Sequence, residues 1–148
     1  MVSTLQAQLG RKVIQYGFLL FALGLLTGFV IPVMQNTRMG LSSHLEAVMN
    51  GMFLILLGLV WHKLQMSNSG IKWVYALALF GTYTNWITTF FAGYWGAGSE
   101  LMPIAGGALQ GTAWQELLIK IGLGSLSLSM LAVCVLVLWG LRAKHSDA

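Results

Sequence analysis

Cysteine, proline and charge are all scarce in this chain of 148 residues. Cys134 is the one cysteine, which excludes a disulfide framework and any Cys-based zinc or iron–sulfur centre within one chain. No Cys-x-x-Cys-His run exists for covalent haem attachment. Charged residues make up 8%, where a soluble domain carries about 25%, so the chain cannot clothe a water-facing surface. The same shortage excludes disorder, because disordered segments are polar and charge-rich. Lys and Arg number 8 and are scattered, which excludes nucleic-acid binding as the main role. Asp147, the only Asp, lies in the tail, so no Ser–His–Asp set can be drawn. There is no glycine-rich phosphate loop ending in lysine. No second histidine lies near His44 in sequence, which argues against a multi-histidine metal site. The absence of internal repeats makes a transporter a weak reading.

What fills the chain is hydrocarbon. Hydrophobic residues reach 57% and the mean hydropathy is +0.75. A membrane span needs about 20 mostly apolar residues, and four segments qualify: 13–33, 41–64, 71–95 and 117–141. The sequence therefore predicts an all-α integral membrane protein, one domain over 1–148, with four transmembrane helices in an antiparallel bundle. The apolar core of the first segment is too long for a signal peptide, and it is expected to be retained. Connections are short apart from a glycine-rich loop from Gly96 to Glu116. Cys134 lies within the last apolar run and is expected to pack in the core or face lipid.

Basic residues set the orientation. Arg11 and Lys12, then Lys63 and Lys72, then Arg142 and Lys144 fall on one side of a four-span hairpin. Both termini are thus expected in the cytoplasm, with the protein in the cytoplasmic (inner) membrane. Trp61, Trp73, Trp95, Trp114 and Trp139 lie near span ends, as interfacial rings do. Trp86 is the exception, deep in the third span.

Polar groups inside a membrane are costly and point to function. His44, Glu46 and Asn50 cluster in the first half of the second span. Glu46 and Asn50 share a face through their spacing of four. His44 and Asn50 differ by about 120° around the helix and about 9 Å along it. They can border one cavity but cannot aim at one atom. His44, Ala47, Gly51 and Gly58 form a second stripe, whose small residues leave room for a flat ligand or a closely packed helix. Each polar residue also has a structural role open to it. His44 can bond a neighbouring helix, Glu46 can serve a helix start after Ser42 and Ser43, and Asn50 can bridge helices.

In the third span, Tyr83 and Trp86 share a face, while Asn85 points about 200° away from Tyr83. Asn85 or Tyr83 must therefore face another helix or subunit. Trp86 and Phe90 can line an aryl slot or simply pack. Thr82, Thr84, Thr88 and Thr89, and Ser125, Ser127 and Ser129, can return their hydroxyl bonds to their own helices. His62 reads as a wet interfacial side chain and His145 as part of a solvated tail. One intramembrane histidine beside small residues suffices to ligate one side of a haem.

The run Asn36-Thr-Arg-Met-Gly-Leu-Ser-Ser-His-Leu-Glu-Ala-Val-Met-Asn-Gly, with Gly81-Thr-Tyr-Thr-Asn-Trp and Trp114-Gln-Glu, resembles the hydroxylaminobenzene mutase family, which is related to the membrane-bound styrene oxide isomerases. The likeness covers nearly the whole chain. It implies a homotrimer of four-helix subunits with non-covalent ferric haem b between adjacent subunits. It further implies His44 as the axial ligand, with Ala47 and Gly51 beside the cofactor, and Asn50 and Tyr83 as catalytic groups. Glu46, Asn85, Trp86 and Phe90 are candidates for the substrate pocket. The expected reaction is isomerisation without net redox change, from an arylhydroxylamine to an aminophenol. The alternative is rearrangement of an epoxide to an aldehyde. A b-type electron carrier or haem sensor would also use His44, and a membrane scaffold would use the polar residues only to lock helices.

Overall fold

The computed structural model describes residues 4–142. Four long helices carry the fold: α1 (Thr4–Val30), α2 (Thr37–Val60), α3 (Asn68–Trp95) and α5 (Ala113–Gly140), with a short α4 (Pro103–Gly106) in the long loop. Among the described residues, three stretches are long and apolar enough to cross a membrane: Thr4–Val33, Thr37–Lys63 and Ala113–Gly140. α3 has 28 residues, length enough, but its threonines, tyrosines and asparagines dilute its apolar character. Many of those polar groups are turned inward. The molecule is an all-helical membrane protein.

Local chemistry sets the helix ends. α1 begins before the apolar run because nothing between Thr4 and Val13 breaks a helix. Pro32 falls in the tight turn Ile31–Val33 that follows it. The cap of α2 is Asn36, whose side chain accepts from the Met39 N–H at 3.1 Å. This corrects the expectation of Ser42 or Ser43 as caps. It also places Glu46 well inside the helix, too deep to serve its start. Ser67 caps α3 by accepting from the Gly70 N–H, and Gly96 ends it in a left-handed conformation, φ +66°. Gln115 reaches back to the Thr112 N–H at 2.8 Å to close the start of α5.

α1 and α2 pack antiparallel along a seam of small residues. Gly10, Gly17 and Gly24 recur every seven residues on the buried side of α1. A Cβ at Gly17 would lie 2.9 Å from the Gly51 carbonyl oxygen, and one at Gly24 would lie 2.9 Å from the Ala47 Cβ. Such spacing lets backbones approach where no hydrophobic force from water drives helices together. α3 lies against both α1 and α2, and α5 packs chiefly on α3. Ser129 belongs to that contact, donating to the Leu77 carbonyl at 2.9 Å, whereas Ser125 and Ser127 do bond their own helix. Cys134 is exposed on α5.

One end of the molecule gathers most of the described basic residues, Arg38 and Lys120 lying at the other. Gln6 on α1 donates to the Trp61 and Leu64 carbonyls, and the Gln65 N–H donates to the Gly140 carbonyl. These bonds bring Arg11, Lys12, Lys63, Lys72 and Arg142 to a common end. Trp61 is 2% exposed and packs on Gly10, so it is a core ring rather than an interfacial one. Trp73, Trp114 and Trp139 are exposed. Lys144, His145 and Asp147 lie outside the described residues.

Candidate functional site

His44 sits in the third turn of α2, half-buried against α1. Its Nδ1 lies 2.7 Å from the Gly24 carbonyl oxygen. A carbonyl only accepts, so Nδ1 carries a proton, and in the neutral ring Nε2 holds the lone pair. This is the arrangement found in metal-ligating histidines, where one ring nitrogen is oriented by a backbone or carboxylate acceptor. Gly28 gives the ring room, since a Cβ there would stand 3.2 Å from Nδ1.

The stripe below His44 is occupied. Gly51 is so close to α1 that a Cβ would meet the Phe21 nitrogen at 2.6 Å, and Ala47 abuts Gly24. Of the two uses open to these small residues, the closely packed helix is the one realised. Within one chain, Ala47 and Gly51 do not border space for a flat cofactor, because α1 backbone fills it.

A second face of α2 turns to α3. Ser43 Oγ donates to the Trp86 carbonyl at 3.3 Å, and Asn50 Nδ2 reaches the Thr82 carbonyl at a long 3.5 Å. Glu46 stands between them, with Thr89 as its side-chain hydrogen-bonding neighbour. One carboxyl oxygen, Oε2, is buried without a partner. Thr82 and Thr89 return their protons to the Ala78 and Asn85 carbonyls, as expected of membrane threonines. Asn85 is half-buried on α3.

Trp86 and Tyr83 both reach α1, at different heights. Trp86 Nε1 donates to Thr27 Oγ1 at 3.0 Å, level with His44. Tyr83 donates to the Tyr16 carbonyl at 2.9 Å, and the two tyrosine rings meet edge to face at 6.5 Å. Tyr16 and Gly24 are eight residues apart, about 12 Å of helix rise. The structure therefore brings the Trp86 indole N–H near the level of His44 but turns the Tyr83 hydroxyl toward Tyr16, more than two turns of α1 from Gly24, with its proton engaged there. Phe90 does meet Trp86, at 6.1 Å between ring centres, and Phe91, Trp95 and Trp114 continue the run of rings toward α5.

Glu116 closes the Trp114-Gln-Glu run, and the sequence assigns it no role of its own. It is 3% exposed, and its Oε1 accepts from the Gly98 and Gly111 N–H groups at 2.9 and 3.0 Å. It ties both arms of the long loop to the start of α5. Asn36 holds the middle of that loop by donating to the Ala105 and Gly106 carbonyls. An ion pair between Lys120 and Glu100 lies beside it. The Thr112-Ala-Trp-Gln115 capping pattern next to a glycine-rich loop was the available signal.

Among the described residues, no group of three or more His, Cys, Asp or Glu could hold a bare metal ion. What the described residues bring together is one oriented histidine on a membrane helix, with a carboxyl and a carboxamide on the adjoining face. The chain belongs to the styrene oxide isomerase family, whose model matches residues 9–142. It is 57% identical over 146 residues to hydroxylaminobenzene mutase HabB of Ectopseudomonas oleovorans, covering 96% of this chain and 89% of that one. It is 39% identical over 125 residues to hydroxylaminobenzene mutase HabA of the same organism, covering 84% and 93%. No solved structure matches the chain. The protein is an enzyme, an isomerase.

Proposed function

We propose that the protein rearranges an arylhydroxylamine to an aminophenol, hydroxylaminobenzene to 2-aminophenol, at a haem b held by His44. The observation that carries the substrate is the 57% identity to a hydroxylaminobenzene mutase across 96% of this chain. Epoxide isomerisation is the second reading, favoured by the family model that matches residues 9–142.

The residues fit a haem with one protein ligand. A haem brings most of its iron's ligands with it, so His44 alone would hold it through Nε2. When bound, ferric haem with an open position supplies a Lewis acid to the substrate oxygen. His44 is held for this by the Gly24 carbonyl. Because α1 fills the space beside Ala47 and Gly51, the cofactor belongs on the open side of His44. A second copy of the chain closes that side, in a homotrimer with the site shared between subunits. The two faces of α2 support this reading. His44 turns to α1 while Asn50 turns to α3, so ligand and donor converge only across an interface.

Asn50 supplies a hydrogen bond to the departing oxygen. Its bond to Thr82 is long and is readily exchanged for a shorter one. Tyr83 has a stronger prior commitment to Tyr16, and must release it to act on substrate. Trp86 and Phe90 offer ring faces to the aryl group. A dry membrane interior protects an electron-poor aryl species from water. α3 forms a fourth crossing, with Thr82, Tyr83, Trp86 and Thr89 hydrogen-bonded within the protein, and the basic end with both termini faces the cytoplasm.

The test is anaerobic turnover by detergent-purified protein without NAD(P)H or other reductant, preceded by its absorption spectrum. Formation of 2-aminophenol by a haem-containing protein is expected. A strict need for an electron donor would favour a haem electron carrier instead, and activity on styrene oxide alone would move the substrate to the epoxide.

A further inference from the structure

The α3-facing stripe of α2 is unevenly satisfied. Ser43, Glu46 and Asn50 recur at spacings of three and four and so share one face. Ser43 and Asn50 are donors, and each finds a carbonyl on α3, those of Trp86 and Thr82. Glu46 lies between them and needs donors, but α3 offers mainly acceptors at this level. Thr89 is the side-chain neighbour of Glu46 there, but that hydroxyl also lies 2.8 and 3.2 Å from the Asn85 and Trp86 carbonyls, which compete for its one proton. Glu46 Oε2 is left buried and unpartnered. An acceptor without a donor is costly in an apolar interior, and such a group calls for an explanation.

We propose that Glu46 Oε2 accepts the N–H of the arylhydroxylamine and so selects hydroxylamines over epoxides. This rests on the functional reading above, in which Asn50, one turn away on the same face, meets the substrate oxygen. The chemistry of the two family substrates differs at this point. Hydroxylaminobenzene carries N–H and O–H donors on its reacting group, and styrene oxide carries none. A buried acceptor is paired by the first and stranded by the second. Glu46 is thus a specificity-determining residue, and Asn50 and Glu46 together read the two atoms of the N–O bond, one as donor and one as acceptor.

The experiment compares hydroxylaminobenzene with N-methyl-N-phenylhydroxylamine, which lacks the N–H, in the wild type, Glu46→Leu and Glu46→Gln. The wild type should prefer the N–H substrate in kcat/KM by about tenfold or more, and Glu46→Leu should lose about 100-fold on it while changing by less than about threefold on the methylated one. Glu46→Gln keeps a carbonyl oxygen and should retain the preference. Equal losses on both substrates would make Glu46 structural and overturn the assignment alone. So would a wild type that does not discriminate, a result that needs no variant to fold. Wild-type inactivity on both hydroxylamines would overturn the functional reading and this assignment with it.

Discussion

The Gly24 carbonyl of α1 fixes the His44 ring of α2 through a 2.7 Å contact with Nδ1. One backbone atom thereby decides which ring nitrogen is free, and a helix seam of small residues decides where that backbone atom lies. Removing the ring should abolish cofactor binding without unfolding the bundle. His44→Ala is expected to purify without the haem absorption band, while His62→Ala, altered at an exposed position, should keep it. A full, unshifted band in His44→Ala would rule His44 out as the ligand.

Gly28 offers a subtler test of the same geometry. A Cβ there falls 3.2 Å from His44 Nδ1, so a branched side chain must displace the ring. Gly28→Val should weaken haem retention and shift the absorption maximum, with helical content by circular dichroism unchanged. An unaltered spectrum would mean that the ring orientation does not matter.

The α1–α2 seam should be intolerant of added volume. Gly51→Ala places a methyl 2.6 Å from the Phe21 nitrogen, and overpacking of this kind costs about 1–3 kcal/mol. Gly124, also helical, has nothing within 4 Å of a Cβ. Gly124→Ala should therefore be neutral or stabilising by up to about 1 kcal/mol. Thermal unfolding of the two variants in the same detergent checks the contrast.

Glu116 holds the long loop by accepting two backbone N–H groups. Glu116→Ala strands the Gly98 and Gly111 donors, at about 1–3 kcal/mol for a buried group left unpaired. The effect should be local. Limited proteolysis is expected to cut between residues 96 and 112 faster in the variant than in the wild type, with the long helices still protected.

Asn50 is expected to act on the chemical step. Losing a donor to developing negative charge slows turnover by about 10²–10³-fold, so Asn50→Ala should lose activity on that scale while keeping its haem band. Tyr83→Phe removes a bond to α1 rather than a group held at the level of His44. It should lower thermal stability by about 1 kcal/mol, and a rate loss as large as that of Asn50→Ala would show that Tyr83 leaves Tyr16 to meet substrate.

Composition and periodicity sufficed for the helical membrane class, the positions of the long helices and the polar cluster at His44, Glu46 and Asn50. Hydrocarbon content and a 3.6-residue repeat are properties of the chain alone. The angular separation of His44 and Asn50 was also legible, because one helix fixes it. What the chain alone left open was which partner each face meets. Ala47 and Gly51 suit a cofactor or a helix equally well, and only the approach of Gly17 and Gly24 decides for the helix. Trp61 has the sequence position of an interfacial ring and the burial of a core one, because Gly10 makes room for it. The height of Tyr83 relative to His44 depends on how α3 slides along α1, a register set by the Tyr83–Tyr16 and Trp86–Thr27 bonds. The role of Glu116 depends on the fold, which brings Gly98 and Gly111 to one of its oxygens. Residue type determines what a side chain can bond; packing of distant segments determines what it does bond.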